Sequence, residues 1–401
     1  NLAVVVRDTE TGEEHFARLK VPNVLPRFVE LPEHLQVQRG DRPTIWTGTP
    51  LEQVIAHNLA TLFPGMDILE YYLFRITRDA DLEVEEDEAD DLLQAIEQEL
   101  RKRRLSETAV RMEIQSTAPA MIRQMLMEEL ELTEHDVYEI DGLICLRDLM
   151  SLIGLPLPEL KDPPWTPVTL PSLRGSHDPS SSNEPFRDKD DREDIFSVIR
   201  RQDLLLHHPY YSFTSSVQQF ITAAATDPDV LAIKMTLYRT TGDSPIVNAL
   251  INAAENGKQV AVLVELKARF DEENNITWAK KLEQSGVHVV YGLVGLKTHT
   301  KVALVVRRES SGGASAQETR IRRYVHIGTG NYNHKTARIY TDLGLFSCRE
   351  ELGADLTDLF NYLTGYSRQQ SYRKLLVAPV NMRDRFIQLI RREIDHSQKG
   401  W

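Results

Sequence analysis

Apolar and polar positions fall into two regimes along this sequence. Through residues 1–160, short apolar runs such as LAVVV (2–6) and YYLFRIT (71–77) alternate with turns marked by Pro and Gly. That pattern predicts strands mixed with helices, an α+β unit. The segment 79–105 opens acidic and then sets Leu92, Leu93, Ile96 and Leu100 on one helical face. Its acids come early and Arg101, Arg103 and Arg104 late, which suits the helix dipole. A charged run of this kind is ordinarily a solvated face. A second helix is expected over PAMIRQMLMEELEL (119–132), its methionines filling the core.

Pro is dense from 156 to 171, and the stretch to 193 is polar and poor in hydrophobes. The pattern predicts a strap and then a linker. Trp165 and Val168 lie in the strap and need cover. From Asp194 the pattern becomes strand–helix alternation. Strands are predicted at 230–238, 259–266, 287–291, 301–306 and 324–330, with helices at 246–257 and 275–286 that end at Gly257 and Gly286. A hairpin tip is expected at 307–319. Near-continuous apolar strands between helices predict a mixed, mostly parallel α/β sheet. A further strand is expected at 374–380 and a helix at 382–398. The expected domains are therefore an α+β head at 1–171, a linker at 172–193, an α/β domain at 194–373 and the start of another at 374–401.

Composition narrows this picture. The chain has 401 residues, 41% of them hydrophobic and 27% charged, as ordinary globular proteins do. No apolar run reaches the length of a membrane span. The N-terminal sequence lacks the pattern of a signal peptide. Two separated cysteines, Cys145 and Cys348, argue against a disulfide framework or zinc site and suit a reducing, cytoplasmic compartment. Taken alone, the net charge of −13 argues against a polyanionic ligand. It is unevenly spread, however. Residues 1–193 carry 39 acids against 20 bases, a charge of −19, while 194–401 carry 21 against 27, a charge of +6.

The candidate chemistry lies in the basic half. Arg239 follows one predicted strand, Lys267 and Arg269 the next, and Lys297, His299 and Lys301 a third. The steps from Arg239 to Arg269 and from Arg269 to His299 are both 30 residues, about one βαβ unit. Repeated units return the chain to one sheet edge, where α/β proteins bind ligands. Two guanidiniums and an imidazole converging there suit phosphate. In KTHTK the H-x-K spacing puts imidazole and ammonium on one side of an extended segment. Such a pair can attack and hold a phosphoryl group. HIGTGNYN (326–333) follows, with Gly328, Thr329, Gly330 and Asn331 as a G-[ST]-x-N element whose small residues admit an anion. A lone His326 is more often a buried structural histidine. No P-loop, complete GxGxxG, HExxH or GxSxG motif occurs.

H-x-K followed by G-[ST]-x-N resembles a half-site of the phospholipase D superfamily. The acid usually found beyond its Lys is replaced here by VALVV (302–306), which counts against phosphodiesterase chemistry. The longer phrases DIFSVIRRQDLLLHHPYYSF (194–213), ELKARFDEENNITWAKKLEQSGVHVVYGLVGLKTHTKVALV (265–305) and RRYVHIGTGNYNHKTARIYTDLGLF (322–346) resemble the polyphosphate kinase family of the long-chain-synthesising class. VLPRFVELP and LFPGMDILEYYLFRITRDADLEV resemble that family's head domain.

The resemblance implies a phospholipase D-like catalytic fold and reversible transfer of the terminal phosphate of ATP to polyphosphate through a phosphohistidine. It implies His299 as phosphate acceptor, with Lys301 and His326 as catalytic partners. Tyr340 would lie against the nucleotide base, with Arg239, Arg269, Lys297 and Asn331 at the phosphates. Arg239 and Arg269 would neighbour Mg²⁺ without ligating it, since guanidinium offers no lone pair. ATP, ADP and polyphosphate are the implied partners, with no nucleic acid, and a homo-oligomer is implied for the full-length enzyme. A cytoplasmic location is expected, with peripheral attachment to the membrane's inner face left open. Family members also carry an N-terminal domain and a second phospholipase D-like domain, so this chain reads as a piece with little synthetic activity alone. Two other readings stand: a phospholipase D-like phosphodiesterase or nuclease, and a non-catalytic polyanion-binding fragment.

Overall fold

The computed structural model describes residues 1–36, 46–79, 108–173, 194–239, 244–265, 272–292, 295–310, 319–365 and 367–400. They form two compact units, one drawn from residues up to Pro163 and one from Pro164 onward. The helix expected within 79–105, most of the 172–193 linker, Lys267 and Arg269 lie outside the described residues.

The first unit is built on β1 (Leu2–Asp8), β2 (Glu14–Leu19), β3 (Phe28–Glu30), β4 (Gly48–Pro50), β5 (Met66–Arg78), β6 (Ala109–Gln115) and β7 (Val137–Ile140). Five strands form a sheet in the order β2-β1-β5-β6-β7, while β3 pairs with β4. Ala3 and Val5 pack with Phe74, Met112, Ile122 and Leu126, the last two from helix Ala120–Glu129. Leu2, Val4 and Val6 on the opposite face pack with Leu59. β1 is therefore covered on both sides, which explains its unbroken apolar run.

The second unit holds β8 (Leu204–His208), β9 (Val230–Leu237), β10 (Gln259–Val264), β11 (His288–Val290), β12 (Lys301–Ser310), β13 (Thr319–Gly328) and β14 (Asp342–Ser347). Their order is β11-β10-β9-β12-β13-β14-β8. The sheet is mixed, but the expectation of mostly parallel pairing is corrected. Only β9, β10 and β11 run parallel to their neighbours among themselves, and the remaining pairings are antiparallel. The parallel strands are joined by helices Pro245–Glu255 and Glu272–Gln284, each long enough to carry the chain back. Between β11 and β12 no crossover helix occurs among the described residues, and β12 runs the other way. Helix Glu350–Thr364 covers the sheet through Leu356, Leu359, Phe360 and Leu363 on Leu263, Val302, Leu304 and Val325.

Local rules explain the helix limits. The Asp194 carboxylate accepts from the Ser197 amide at 2.7 Å, and the Ser244 hydroxyl accepts from the Val247 amide just before Pro245. Gly257 follows its helix at φ +77°, a left-handed stop. The strap is tied by Trp165 Nε1 donating to the Pro209 carbonyl and by Val168 bridging Tyr210 and Ser212, yet both side chains stay largely exposed.

The strand expected at 374–380 does not form. The buried Asp355 carboxylate takes the amides of Arg373, Lys374 and Leu375, while Asn381 Oδ1 takes that of Val377. Donors that a ladder needs are spent on side chains, and the apolar Leu375 and Val377 still pack on the core. Helix Met382–Gln398 follows as expected.

Candidate active site

The antiparallel strands bring distant motifs to one sheet edge. β12 runs against β9, so Lys301 at its start lies beside the end of β9, where Tyr238 and Arg239 follow. β13 runs against β12, and Gly328 at its end pairs with Lys301. β14 then pairs Gly344 with Gly328, and β8 pairs His208 with Asp342. The H-x-K and G-T-G-N segments meet through antiparallel register, while the two βαβ steps from β9 to β11 return the chain to the same edge, as the 30-residue spacing suggests.

Tyr238 is the centre of the cluster. Arg239 Cζ lies 5.3 Å from its ring centroid, Lys301 Nζ 5.3 Å and Lys297 Nζ 5.8 Å. The His299 ring stands 5.9 Å away, edge to face. Burial, and after it the charges of Lys301, Lys297 and Arg239, push the His299 pKa down, so the ring is neutral near pH 7. Among the described residues, neither of its ring nitrogens makes a hydrogen bond. Lys301 is buried, with Nζ donating to the His299 carbonyl. Burial lowers its pKa to about 8, with Asp342 pulling it up and Arg239 pushing it down.

Neighbouring side chains fix this geometry. Thr236 Oγ1 donates to the Thr300 carbonyl at 2.8 Å and accepts from the Val302 amide at 3.1 Å. Glu265 Oε2 accepts from the Thr298 amide at 2.7 Å, and Asn275 holds the Glu265 carbonyl. Arg239 sits at φ +54°, left-handed and unusual for a long side chain. Its carbonyl accepts from Asn333 Nδ2 at 3.1 Å, while Asn333 Oδ1 caps the turn at Lys335 and Thr336. Asn333 thus ties the two loops together.

The glycines of HIGTG serve close approach. A Cβ at Gly330 would stand 2.5 Å from Asp342 Oδ2, which belongs to the carboxylate that takes the Thr329 hydroxyl. Asn331 Oδ1 is buried without a partner. His326 lies under the edge, 3% exposed, with Nδ1 2.8 Å from the Tyr332 hydroxyl and its ring 4.7 Å from that of Phe346. Burial and the nearby His208 lower its pKa to about 3. The Nε2 atoms of His326 and His208 both lack partners, and both approach the bare face of Gly344. Tyr340 stands apart, 63% exposed, after the turn Thr336–Arg338. A core placement for this tyrosine is excluded.

The structure therefore gathers His299, Lys301, Lys297 and Arg239, and sets His326 apart in a buried cluster. Arg269 lies outside the described residues. Sequence reasoning missed Tyr238, Asn333, Asp342 and His208. The signal for Tyr238 was its position before Arg239, at a strand end already singled out.

Comparison with known proteins bears on this arrangement. Residues 1–152 match the family model described as "Polyphosphate kinase middle domain", and 194–369 match "Polyphosphate kinase C-terminal domain 1". The chain belongs to the polyphosphate kinase family. Polyphosphate kinase of Synechocystis sp. is 66% identical over 400 residues, covering 100% of this chain and 54% of that protein. The Thermosynechococcus vestitus polyphosphate kinase is 63% identical over 409 residues, with the same coverage. A crystal structure of polyphosphate kinase from Porphyromonas gingivalis aligns with a TM-score of 0.73 at 31% identity, covering 100% of this chain and 53% of that one. The chain spans about half the length of these polyphosphate kinases. It shares with the crystal structure a mixed α/β architecture, and among the described residues no helix is long and apolar enough to cross a membrane.

Proposed function

We propose that the chain carries the phosphate-accepting site of an ATP–polyphosphate phosphotransferase, with His299 as acceptor. The observation that carries this reading is a neutral imidazole, its nitrogens unheld, among Lys297, Lys301 and Arg239. A ring nitrogen of His299 attacks the γ-phosphorus of ATP in line, the bond to the β,γ-bridging oxygen breaks, and ADP leaves. A terminal oxygen of polyphosphate then attacks the phosphohistidine, lengthening the chain by one phosphate and freeing the imidazole. The three cations offset the charge spread over the transferring group. Lys301, with its lowered pKa, can also hold or release a proton near neutrality.

Asn331 is assigned to phosphate contact on the resemblance, through its Nδ2 donor, and the exposed Tyr340 ring to the base. Arg269 keeps its phosphate assignment on the resemblance alone. His326, buried and neutral, is read as support beneath the edge. Among the described residues no group of three acids, histidines or cysteines is placed to hold a metal ion. Among the described residues, lysines and an arginine do not fit Mg²⁺ as ligands, and the ion would enter with the nucleotide phosphates. The free cysteines suit a cytoplasmic setting. The chemistry is assigned to 194–373, with 1–171 as head domain.

Incubation with γ-labelled ATP tests the reading. Acid-labile, base-stable phosphate should appear on His299 and disappear in His299→Ala. The same substitution at the equivalent histidine of the Synechocystis polyphosphate kinase repeats the test in a longer chain. Equal labelling of wild type and variant would overturn the assignment.

A further inference from the structure

Three cations and an imidazole share one aromatic ring. Arg239, Lys297 and Lys301 all lie within 6 Å of the Tyr238 centroid, and His299 meets the same ring edge to face. Like charges so close repel one another, and a flexible lysine relieves that repulsion by swinging into water. The negative face of an aromatic ring opposes this, because its quadrupole attracts each cation.

The ring also has a fixed base. Tyr238 directly follows β9, whose Thr236 hydroxyl grips the segment between His299 and Val302. Its neighbour Arg239 is held in its left-handed turn by Asn333. The cations therefore converge on a point set by the sheet.

We propose that Tyr238 is a positioning residue for phosphoryl transfer, its ring preorganising Arg239, Lys297 and Lys301 around His299 for a chain of linked phosphates. The inference rests on the reading of His299 as phosphate acceptor, and the ring rather than the hydroxyl does the work. A single phosphate brings about two negative charges to these three cations, and linked phosphates bring more. A tripolyphosphate or longer chain meets all three.

Binding of inorganic tripolyphosphate to the 401-residue chain, followed by calorimetry, tests this without catalysis. Tyr238→Phe should bind within about threefold of wild type. Tyr238→Leu should bind about 10- to 100-fold more weakly, the loss expected for two or three weakened cation–π contacts. The His299 titration, read by NMR on histidine-labelled protein, should move to higher pH in Tyr238→Leu as the cations draw away, and stay in place in Tyr238→Phe. Tyr238→Met keeps a long apolar side chain without the ring, and answers the same question if the leucine variant folds poorly. Wild-type affinity in the leucine or methionine variant would overturn the inference, and so would equal losses in the phenylalanine variant. Failure of the acceptor reading is separate, because it registers as label retained by His299→Ala.

Discussion

A buried histidine that stays neutral makes stability depend on pH in a direction that can be worked out. His326 titrates near 3 in the folded chain against about 6.5 when unfolded, because burial and His208 disfavour its charged form. Below about 6.5 the unfolded chain binds the proton more readily, so the contribution of His326 is full above that pH and is lost as pH falls towards 3. The stability gap between wild type and His326→Gln in urea should therefore narrow by about 1.4 kcal/mol per pH unit between pH 6 and 4. A constant gap would mean that the ring is not held neutral. His208 shifts in the same direction, for the same first cause. The contrast with His299 is one of depth: both rings have lowered pKa values, but His299 has unheld nitrogens beside cations, and His326 is closed in by Tyr332 and Phe346.

At the scale of elements, the segment 373–377 is the clearest conflict between local pattern and context. KLLVAPV reads as a strand by composition, yet Asp355 and Asn381 take its backbone donors. Asp355→Ala would leave three amides without their partner and should cost about 3 kcal/mol, read from the urea midpoint, with faster hydrogen exchange at Arg373, Lys374 and Leu375. Strands 230–237 and 259–264 and the helix 382–398 were legible because propensity, period and stop signals agreed there. Strand direction was not legible. An apolar run records burial on both faces, and β12 is as buried in an antiparallel place as β10 is in a parallel one. The convergence of Arg239 and His299 was thus foreseen from spacing, and the antiparallel return of β12 beside β9 completes it. Tyr238 and Asn333 escaped because their roles are contacts between loops about 60 to 95 residues apart in sequence, for which a single chain gives no signal.

At the scale of the molecule, the net charge of −13 combines −19 over residues 1–193 with +6 over 194–401. A polyanion should therefore protect amines in the second half alone. With tripolyphosphate present, amine-labelling mass spectrometry at pH 8 should show Lys297 and Lys301 shielded and Lys20 unchanged. Lys297 is the more sensitive probe, because it is exposed where Lys301 is buried. Equal protection of Lys20 would place the anion elsewhere.

The hairpin of β12 and β13 has a practical consequence. Its two ten-residue strands pair from Lys301 with Gly328 at one end to Ser310 with Thr319 at the other. At about 3.3 Å per residue, the far end stands about 30 Å from the edge that holds Lys301. A fluorophore or affinity handle inserted between Ser310 and Thr319 would be anchored to the strand that follows His299 yet kept clear of the proposed phosphate site. The same strand thus offers a rigid arm from which the chemistry can be watched.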